Sequence, residues 1–310
     1  MSTPNVLVGT ASWTDRTLIE SGQFYPPGIK TAEARLRFYA ENFSIVEVDS
    51  TYYALPSTQT ATAWVQRTPE RFTFNIKAFR LLTKHQTEPK FLPPQVREAL
   101  GSWDKKTIYY DDLPTELTEE VWREFTTALD PLLSAGKLGA FLFQFPRWFV
   151  KSRSTCDHIR MIRDRLPNYE LAVEFRHESW FGNEHRREST LDFLRELNVC
   201  NVTVDEPQTS SGSIPTVWDV TYSGLAMFRL HGRNLRTWNE RRLSSASERF
   251  DYDYAEEELA TFVRPILETA SRVSVVHVIF NVNMRDQGVR GARTMQHLLD
   301  DAVPGTSPPL

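Results

Sequence analysis

Eight short, strongly apolar runs, separated by stretches with helical periodicity, most constrain the fold of this 310-residue chain. The fourth run, residues 138–146, is almost continuously apolar, and the fifth contains Leu171, Ala172 and Val173 before it turns polar. Continuous apolar runs are typical of strands buried on both faces of a parallel sheet. Eight such strands alternating with helices predict an α/β fold of the (β/α)8 TIM-barrel type.

A doubly wound α/β sheet is the main alternative, because it is built from the same alternating units. Its nucleotide-binding members carry a glycine-rich turn after the first strand, and neither G-x-G-x-x-G nor a P-loop follows the first apolar run. We therefore expect one domain over residues 1–300 and a frayed tail over residues 301–310. An irregular, proline-rich insertion is expected after the third strand, near residues 83–118.

Composition narrows the class of protein. A net charge of −4 argues against a general nucleic-acid binder. Cys156 and Cys200 lack C-x-x-C spacing and a histidine partner, which is typical of reduced thiols in a cytoplasmic protein. The N-terminus has no signal-peptide pattern, and no run approaches the roughly 18 apolar residues of a membrane span. We expect a cytoplasmic protein without a membrane partner.

Polar side chains follow the apolar part of most of these runs. The sharpest change is at Glu174 and Arg176, which come directly after the apolar part of the fifth run. The same change occurs at Glu47 and Asp49, Lys77, Gln144, Asp205, Arg229 and His231, and Asn281 and Asn283. Residues two apart on a strand share a face, and the C-terminal rim of a TIM barrel carries its active site. These side chains are therefore expected to form a ligand site at the barrel mouth.

Ordered motifs along the chain resemble a known family. They are VGTASW, FYPPG, VEVDSTYYALPS, FTFNIKAF, FLFQFP, LAVEFRHESWF, VTVDEP, FRLHGRN and IFNVN, between Val8 and Leu299. Together they are similar to the DUF72, or YecE-like, family of TIM-barrel proteins. The resemblance implies a (β/α)8-type barrel and leaves the reaction open, because the family is named for its unknown function. The chain departs from the family pattern at Asp49, where Asn is usual, and at Asn281-Val282-Asn283, where two adjacent asparagines are typical.

The acidic residues of this set suggest proton transfer. Glu174 or Asp205 is a candidate general acid or base, and His231 is a further catalytic candidate as proton carrier or ligand. Paired carboxylates also suit glycoside hydrolysis. With Glu47 and Asp49, the same acids could bind a divalent metal, but no H-x-H or H-x-x-E-H spacing supports it. We expect no cofactor, and a divalent metal remains the alternative.

The basic residues match the acids in number and favour anion recognition. Residues suited to clamp a phosphate or carboxylate are Lys77, Arg176, Arg229 and Arg233. The full predicted substrate-binding set is Glu47, Asp49, Lys77, Gln144, Arg176, Arg229, Asn281 and Asn283. The alternative interpretation is a compensated network of salt bridges at a polar barrel mouth.

These patterns predict an enzyme that acts on a small anionic or nucleotide-derived substrate, by hydrolysis or by phosphoryl or glycosyl transfer. A non-catalytic protein that binds a ligand or a nucleic acid at the same mouth is the alternative hypothesis. The expected partner is a small anionic ligand, nucleic acid stays open as a second partner, and the sequence does not fix the oligomeric state.

Overall fold

A computed structural model of the protein describes residues 5–209, 213–240, 243 and 246–303. Within these residues, eight parallel strands form one closed barrel in chain order, with the eighth strand paired to the first. The strands are β1 (Val6–Ala11), β2 (Ile45–Val48), β3 (Thr73–Lys77), β4 (Leu138–Gln144), β5 (Leu171–Glu174), β6 (Cys200–Asp205), β7 (Leu225–Leu230) and β8 (Val275–Phe280). The prediction of a (β/α)8 TIM-type barrel is confirmed.

Helices alternate with the strands along the chain. They are α1 (Arg16–Ser21), α2 (Ala32–Asn42), α3 (Ser50–Tyr53), α4 (Thr58–Gln66), α5 (Pro94–Leu100), α6 (Thr115–Ser134), α7 (Arg153–Arg165), α8 (Glu184–Glu196), α9 (Glu256–Ala270) and α10 (Gln287–Ala302). The predicted insertion after β3 is present and contains α5 and two short 3-10 turns. The described parts of the β6–β7 connection, residues 206–209 and 213–224, contain no helix.

Local sequence explains where several helices begin. The side chain of Ser57 accepts a hydrogen bond from Thr60 N at the start of α4, and Asn183 accepts one from Arg186 N at the start of α8. Such side-chain caps satisfy backbone N–H groups that have no partner inside the helix. Along α6, the buried apolar side chains of Val121, Phe125 and Leu132 form one face, which packs towards the barrel.

The apolar core has two parts. A large cluster lies mainly between the barrel wall and the helices, and a small one, made of Ala11, Ile45 and Ile279 with Leu7 beside them, fills part of the barrel interior. Gly9 makes this packing possible, because a Cβ there would lie 2.0 Å from Ile45 O. The barrel interior is therefore apolar where these side chains pack, and the charged side chains described below lie above them, towards the C-terminal ends of the strands.

Strand register determines which side chains face the interior. Residues paired across parallel neighbours point to the same side of the sheet, and Arg229 pairs with Ile279 on β8 and with Val204 on β6. Since Ile279 belongs to the interior cluster, Arg229 and Val204 also face the interior. The residue after Val204, Asp205, must face the helices instead.

Two remaining predictions concern the chain's end and membranes. Helix α10 continues to Ala302, so the predicted frayed tail over residues 301–310 begins inside a helix, and residues 304–310 lie outside the described part of the chain. Among the helices that the structure describes, none is long and apolar enough to cross a membrane.

Candidate active site at the C-terminal barrel mouth

Arg229 is the centre of an ion-pair network inside the mouth. Its Nε donates to Glu47 Oε2 at 3.0 Å and its Nη2 donates to Glu47 Oε1, while Nη1 donates to Glu174. All three side chains are fully buried. Because β2, β5 and β7 are not neighbours in the barrel, these contacts run across its interior.

Glu174 is shared by two arginines and a histidine. Its Oε1 lies 2.5 Å from Arg176 Nε and 3.3 Å from His231 Nε2. Burial works to raise the pKa of Glu174, but Arg176, Arg229 and His231 outweigh burial and hold that pKa well below its usual range. Glu174 is therefore ionised at neutral pH and fixes the position of both guanidinium groups.

His231 is buried and neutral. Burial, reinforced by the charge of Arg176, lowers the pKa of His231 to about 3. Its Nε2 lies 3.1 Å from Arg176 Nη2, and its Nδ1 lies 2.8 Å from the side-chain amide of Asn281. A neutral ring can accept the Arg176 hydrogen bond at Nε2. It is poorly suited to carry an additional proton at neutral pH.

Glu206 belongs to this network, although it was not among the residues predicted from sequence. Its Oε2 accepts a hydrogen bond from Arg176 Nη1 at 3.0 Å, and its Oε1 accepts one from Ile214 N at 2.9 Å. Burial raises the pKa of Glu206 to about 7. The sequence could have indicated Glu206 through the adjacent acids Asp205 and Glu206, since successive side chains at a strand end face opposite sides and one of the two must face the interior.

Asp205 lies on the other side of the barrel wall. Its carboxylate accepts hydrogen bonds from Arg233 Nε and Nη2 at 2.8–3.0 Å and from Tyr254 Oη at 2.6 Å. The expectation that Asp205 joins Glu174 at the mouth is wrong. The register of β6 places Val204 beside Arg229 in the interior and turns the next side chain towards the helices.

We predict that Asp205→Asn lowers the free energy of unfolding by about 1–3 kcal/mol, because hydrogen bonds to a charged group are lost beside Arg233 and Tyr254. If the mouth binds phosphate, Asp205→Asn should leave that affinity unchanged, because the Asp205 carboxylate bonds to Arg233 and Tyr254 outside the mouth. Urea denaturation and isothermal titration calorimetry measure the two quantities. If Asp205→Asn instead binds phosphate more weakly and is as stable as the unmodified protein, Asp205 belongs to the ligand site.

Glu47, on β2, and Asp49, directly after that strand, are two carboxyls whose charges affect each other. Burial raises the pKa of Glu47 to about 7, although Arg229 opposes the rise, and Asp49 raises it further. Burial also works to raise the pKa of Asp49, but Lys77 and Arg229 bring it below its usual value. Asp49 is therefore the ionised member of the pair, and Glu47 titrates near neutrality.

Lys77 and Asp49 are the part of this network that solvent reaches. Lys77 Nζ lies 3.1 Å from Asp49 Oδ1, and the two side chains are 15% and 24% exposed, against 0% for Glu47. Lys77 Nζ also lies 5.2 Å from the centroid of the Tyr52 ring. A ligand that enters the mouth would meet this ion pair before the buried floor beneath it.

Two further arginines border the mouth without an acid partner among the described residues. The Arg80 guanidinium lies 5.3 Å from the Tyr52 ring centroid, and that of Arg147 lies 5.6 Å from the Trp238 ring, on which Arg176 also packs. Burial, and then the charges of Arg80, Lys77 and Arg176, lower the pKa of His85 to about 3. Cationic side chains thus border the mouth on several sides, and Asp49 is the acid beside them that solvent reaches.

The structure brings most of the predicted site residues together, but not all of them. The residues joined in one network are Glu47, Asp49, Lys77, Glu174, Arg176, Arg229, His231 and Asn281. Gln144 pairs in register with Glu174 and so faces the interior, and Asn283 Oδ1 is buried without a hydrogen-bond partner among the described residues. Asp205 lies outside the mouth, as described above. The functional roles of all these residues stay predictions.

Metal binding receives no support from the side-chain arrangement. In the part of the chain that the structure describes, no group of three or more His, Cys, Asp or Glu side chains is arranged to hold a metal ion. Glu47, Glu174 and Glu206 are each already engaged by arginine. A divalent ion in this mouth would have to displace a guanidinium group.

Comparisons with known proteins agree with the motifs in the sequence. The sequence model of the family described as "Protein of unknown function DUF72" matches residues 7–309. The UPF0759 protein YunF of Bacillus subtilis is 30% identical over 98% of both chains, and YecE of Escherichia coli is 25% identical over 58% of this chain and 56% of its own.

Solved structures give the same result. A crystal structure of a DUF72 family protein from Enterococcus faecalis has a TM-score of 0.78 at 26% identity and covers 98% of this chain and 99% of its own. One from Thermotoga maritima has a TM-score of 0.72 at 31% identity and covers 96% and 99%.

Proposed function

This chain belongs to the DUF72 family of proteins of unknown function, and we propose that its barrel mouth is an active site for an anionic substrate. The reaction class proposed is hydrolysis, or phosphoryl or glycosyl transfer. The observation that carries this proposal is the continuous buried network that joins Glu47, Arg229, Glu174, Arg176 and Glu206 at the C-terminal end of the barrel. Characterised TIM-barrel enzymes have their active sites at this end.

The energetic cost of the network supports a functional role. Taking a charged side chain out of water costs several kcal/mol, and apolar packing of similar volume is often at least as stable. The same barrel already packs Ala11, Ile45 and Ile279 in its interior at a neighbouring level. A barrel selected for stability alone would have less reason to place five ionisable side chains above them.

Lys77 is proposed to bind the anionic group of the substrate. It is accessible, and the guanidinium groups of Arg80 and Arg147, which have no acid partner among the described residues, border the same space. Arg176 is more buried, and its two carboxylate partners leave it suited to the base of the site. Positive groups arranged around an opening attract anions and orient them before any chemistry begins.

Asp49 and Glu47 are proposed as the proton-transfer pair. Asp49 is ionised and reached by solvent, and Glu47 titrates near neutrality directly beneath it. Two carboxyls whose pKa values are separated by their surroundings are the usual arrangement for general acid–base catalysis near pH 7. The pKa values of Glu174 and His231 are held far below neutrality, so these two side chains are better suited to position Arg176 than to transfer protons themselves.

The test compares two variants of the accessible pair. Lys77→Met should weaken the binding of inorganic phosphate about 10-fold or more, because a charge-assisted hydrogen bond is lost. Asp49→Asn should bind phosphate at least as tightly, since it removes a negative charge, but should lose about 100-fold or more in turnover of p-nitrophenyl phosphate esters or glycosides. Calorimetry and absorbance assays measure these effects.

Lys90→Met is the matched control, because Lys90 is an exposed lysine of the insertion that pairs with Glu88. It should change neither quantity. If Lys77→Met binds phosphate as the unmodified protein does, the anion site is not in this mouth. If phosphate binding depends on Lys77 but no ester or glycoside is turned over, the alternative of a non-catalytic binding protein is favoured.

A further inference from the structure

A cavity of about 960 Å³ opens beside the mouth and has no part in the network described above. It lies between the insertion after β3 and the first turns of α7. Aromatic side chains that line it are Tyr109, Tyr110, Trp148 and Phe149. Its volume is at the upper end of the range for small-molecule sites, which is roughly 300–1,000 Å³.

Two of the lining aromatics are unusually exposed. Trp148 is 57% exposed and Tyr109 is 42% exposed, whereas Trp180 and Trp238 are almost fully buried. Large aromatic faces left in water next to a concave surface are typical of a site that stacks on a planar ligand. Trp148 follows β4 and Tyr109 belongs to the insertion, so two separate loops contribute to the cavity.

The charge of this cavity differs from that of the mouth. Lys84 Nζ lies 2.5 Å from Asp111 Oδ1, and the third charged side chain of the lining, Asp157, is paired with Arg160 at 2.9 Å, so each charge is compensated. Gln86, Ser154 and Thr155 add uncharged polar groups to the lining. The cavity therefore suits an uncharged planar ring with polar edges, while the neighbouring mouth suits an anion.

A row of ring contacts joins the two places. The Trp148 and His85 ring centroids are 5.7 Å apart, and those of His85 and Tyr52 are 5.3 Å apart. Lys77 Nζ then lies 5.2 Å from the Tyr52 centroid. One small molecule that carries both a planar ring and an anionic group could extend along this row.

We propose that the cavity holds the base of a nucleotide whose phosphate lies against Lys77 in the mouth. This inference rests on the proposed function, because the phosphate uses the anion site proposed above. Trp148 and Tyr109 stack on the base, and Gln86 and Ser154 bond to its polar edge. A neutral aromatic pocket next to a cationic opening complements both parts of a nucleotide.

The test titrates the protein by calorimetry with inorganic phosphate, with adenosine, cytidine, guanosine and uridine, and with their 5′-monophosphates. At least one monophosphate should bind about 10-fold or more tightly than phosphate. Trp148→Ala should weaken that nucleotide about 5- to 150-fold, the usual effect of losing one stacked base, and leave phosphate binding unchanged. Lys77→Met should weaken phosphate and nucleotide while leaving nucleoside binding intact.

Tyr53→Ala is the control for the loss of an exposed aromatic, because Tyr53 is 52% exposed and does not line the cavity. It should behave as the unmodified protein. The base site is contradicted if nucleotides bind no more tightly than phosphate, or if they bind Trp148→Ala as tightly as the unmodified protein. Neither result would contradict the anion site. Nucleosides that bind through Trp148 while phosphate does not bind would instead overturn the anion site. Binding of cellotriose but of no nucleotide would assign the cavity to sugars.

Discussion

Replacing Arg229 by Met is expected to lower the free energy of unfolding by about 3–5 kcal/mol, the usual cost of removing one partner from a buried ion pair. The guanidinium bridges Glu47 and Glu174, and all three side chains are fully buried. Without it, Glu47 must take up a proton or remain charged without its cation. Urea denaturation followed by circular dichroism measures the change.

A second substitution shows whether stranded charge is the cause. Glu47→Gln added to Arg229→Met should recover part of the lost stability, because it removes one of the uncompensated carboxylates. Arg264→Met is the control, since Arg264 forms an exposed pair with Glu268 on α9, and its unfolding midpoint should not move. A loss below about 1 kcal/mol for Arg229→Met would mean that water reaches and compensates the network.

The second large effect is a loss of stability in acid. Four histidines have a lowered pKa: about 3 for His85, His231 and His277, and about 4 for His158, with burial as the largest cause. Between these values and about 6.5 the unfolded chain binds protons that the folded chain does not. Stability should therefore rise with pH through this window, by up to about 1.4 kcal/mol per pH unit for each imidazole, and level off above it.

Two carboxyls act in the opposite direction. The pKa values of Glu47 and Glu206 are raised to about 7, so the folded chain binds protons more readily than the unfolded chain between about 4.5 and 7. Their contribution is present at low pH and is lost as the pH rises through about 7. Because four imidazoles outnumber two carboxyls, the melting temperature should still fall as the pH decreases from 6.5 to about 4.

A substitution of His277 tests the contribution of one of these four histidines. It lies on β8, and burial is the cause of its lowered pKa. His277→Gln should reduce the slope of unfolding free energy against pH by up to about 1.4 kcal/mol per pH unit below pH 6. The exposed His185 provides the control variant, His185→Gln, which should keep the slope of the unmodified protein. An unchanged slope for His277→Gln would show that this ring is protonated in the fold.

The barrel could be predicted from the sequence because its signal is local and repeated. Each strand is a short apolar run, and each change to polar residues marks the C-terminal end of a strand, so Glu174 and Arg176 could be assigned to the mouth from their neighbours alone. Glu47 and Asp49, two residues apart, could be assigned to one face for the same reason. These inferences require only that side chains two residues apart on a strand lie on the same face.

Which of two adjacent residues faces the interior could not be predicted in β6. Val202, Thr203 and Val204 give no clear alternation, since strands of a parallel barrel are buried on both faces. The choice between Asp205 and Glu206 is fixed by the pairing of Val204 with Arg229, a contact between strands. A shift of one residue would have exchanged the two acids.

Only the tertiary structure decided which charges meet and which of them stay accessible. Arg229 bonds to Glu47 across 182 positions of sequence, and closure of the barrel brings them together. The aromatic cavity likewise combines the loop after β4 with an insertion after β3 whose sequence has no clear periodicity. The sequence determined the strands and their polar ends through local patterns. The partners depended on the three-dimensional packing of distant segments, and no local pattern records that packing.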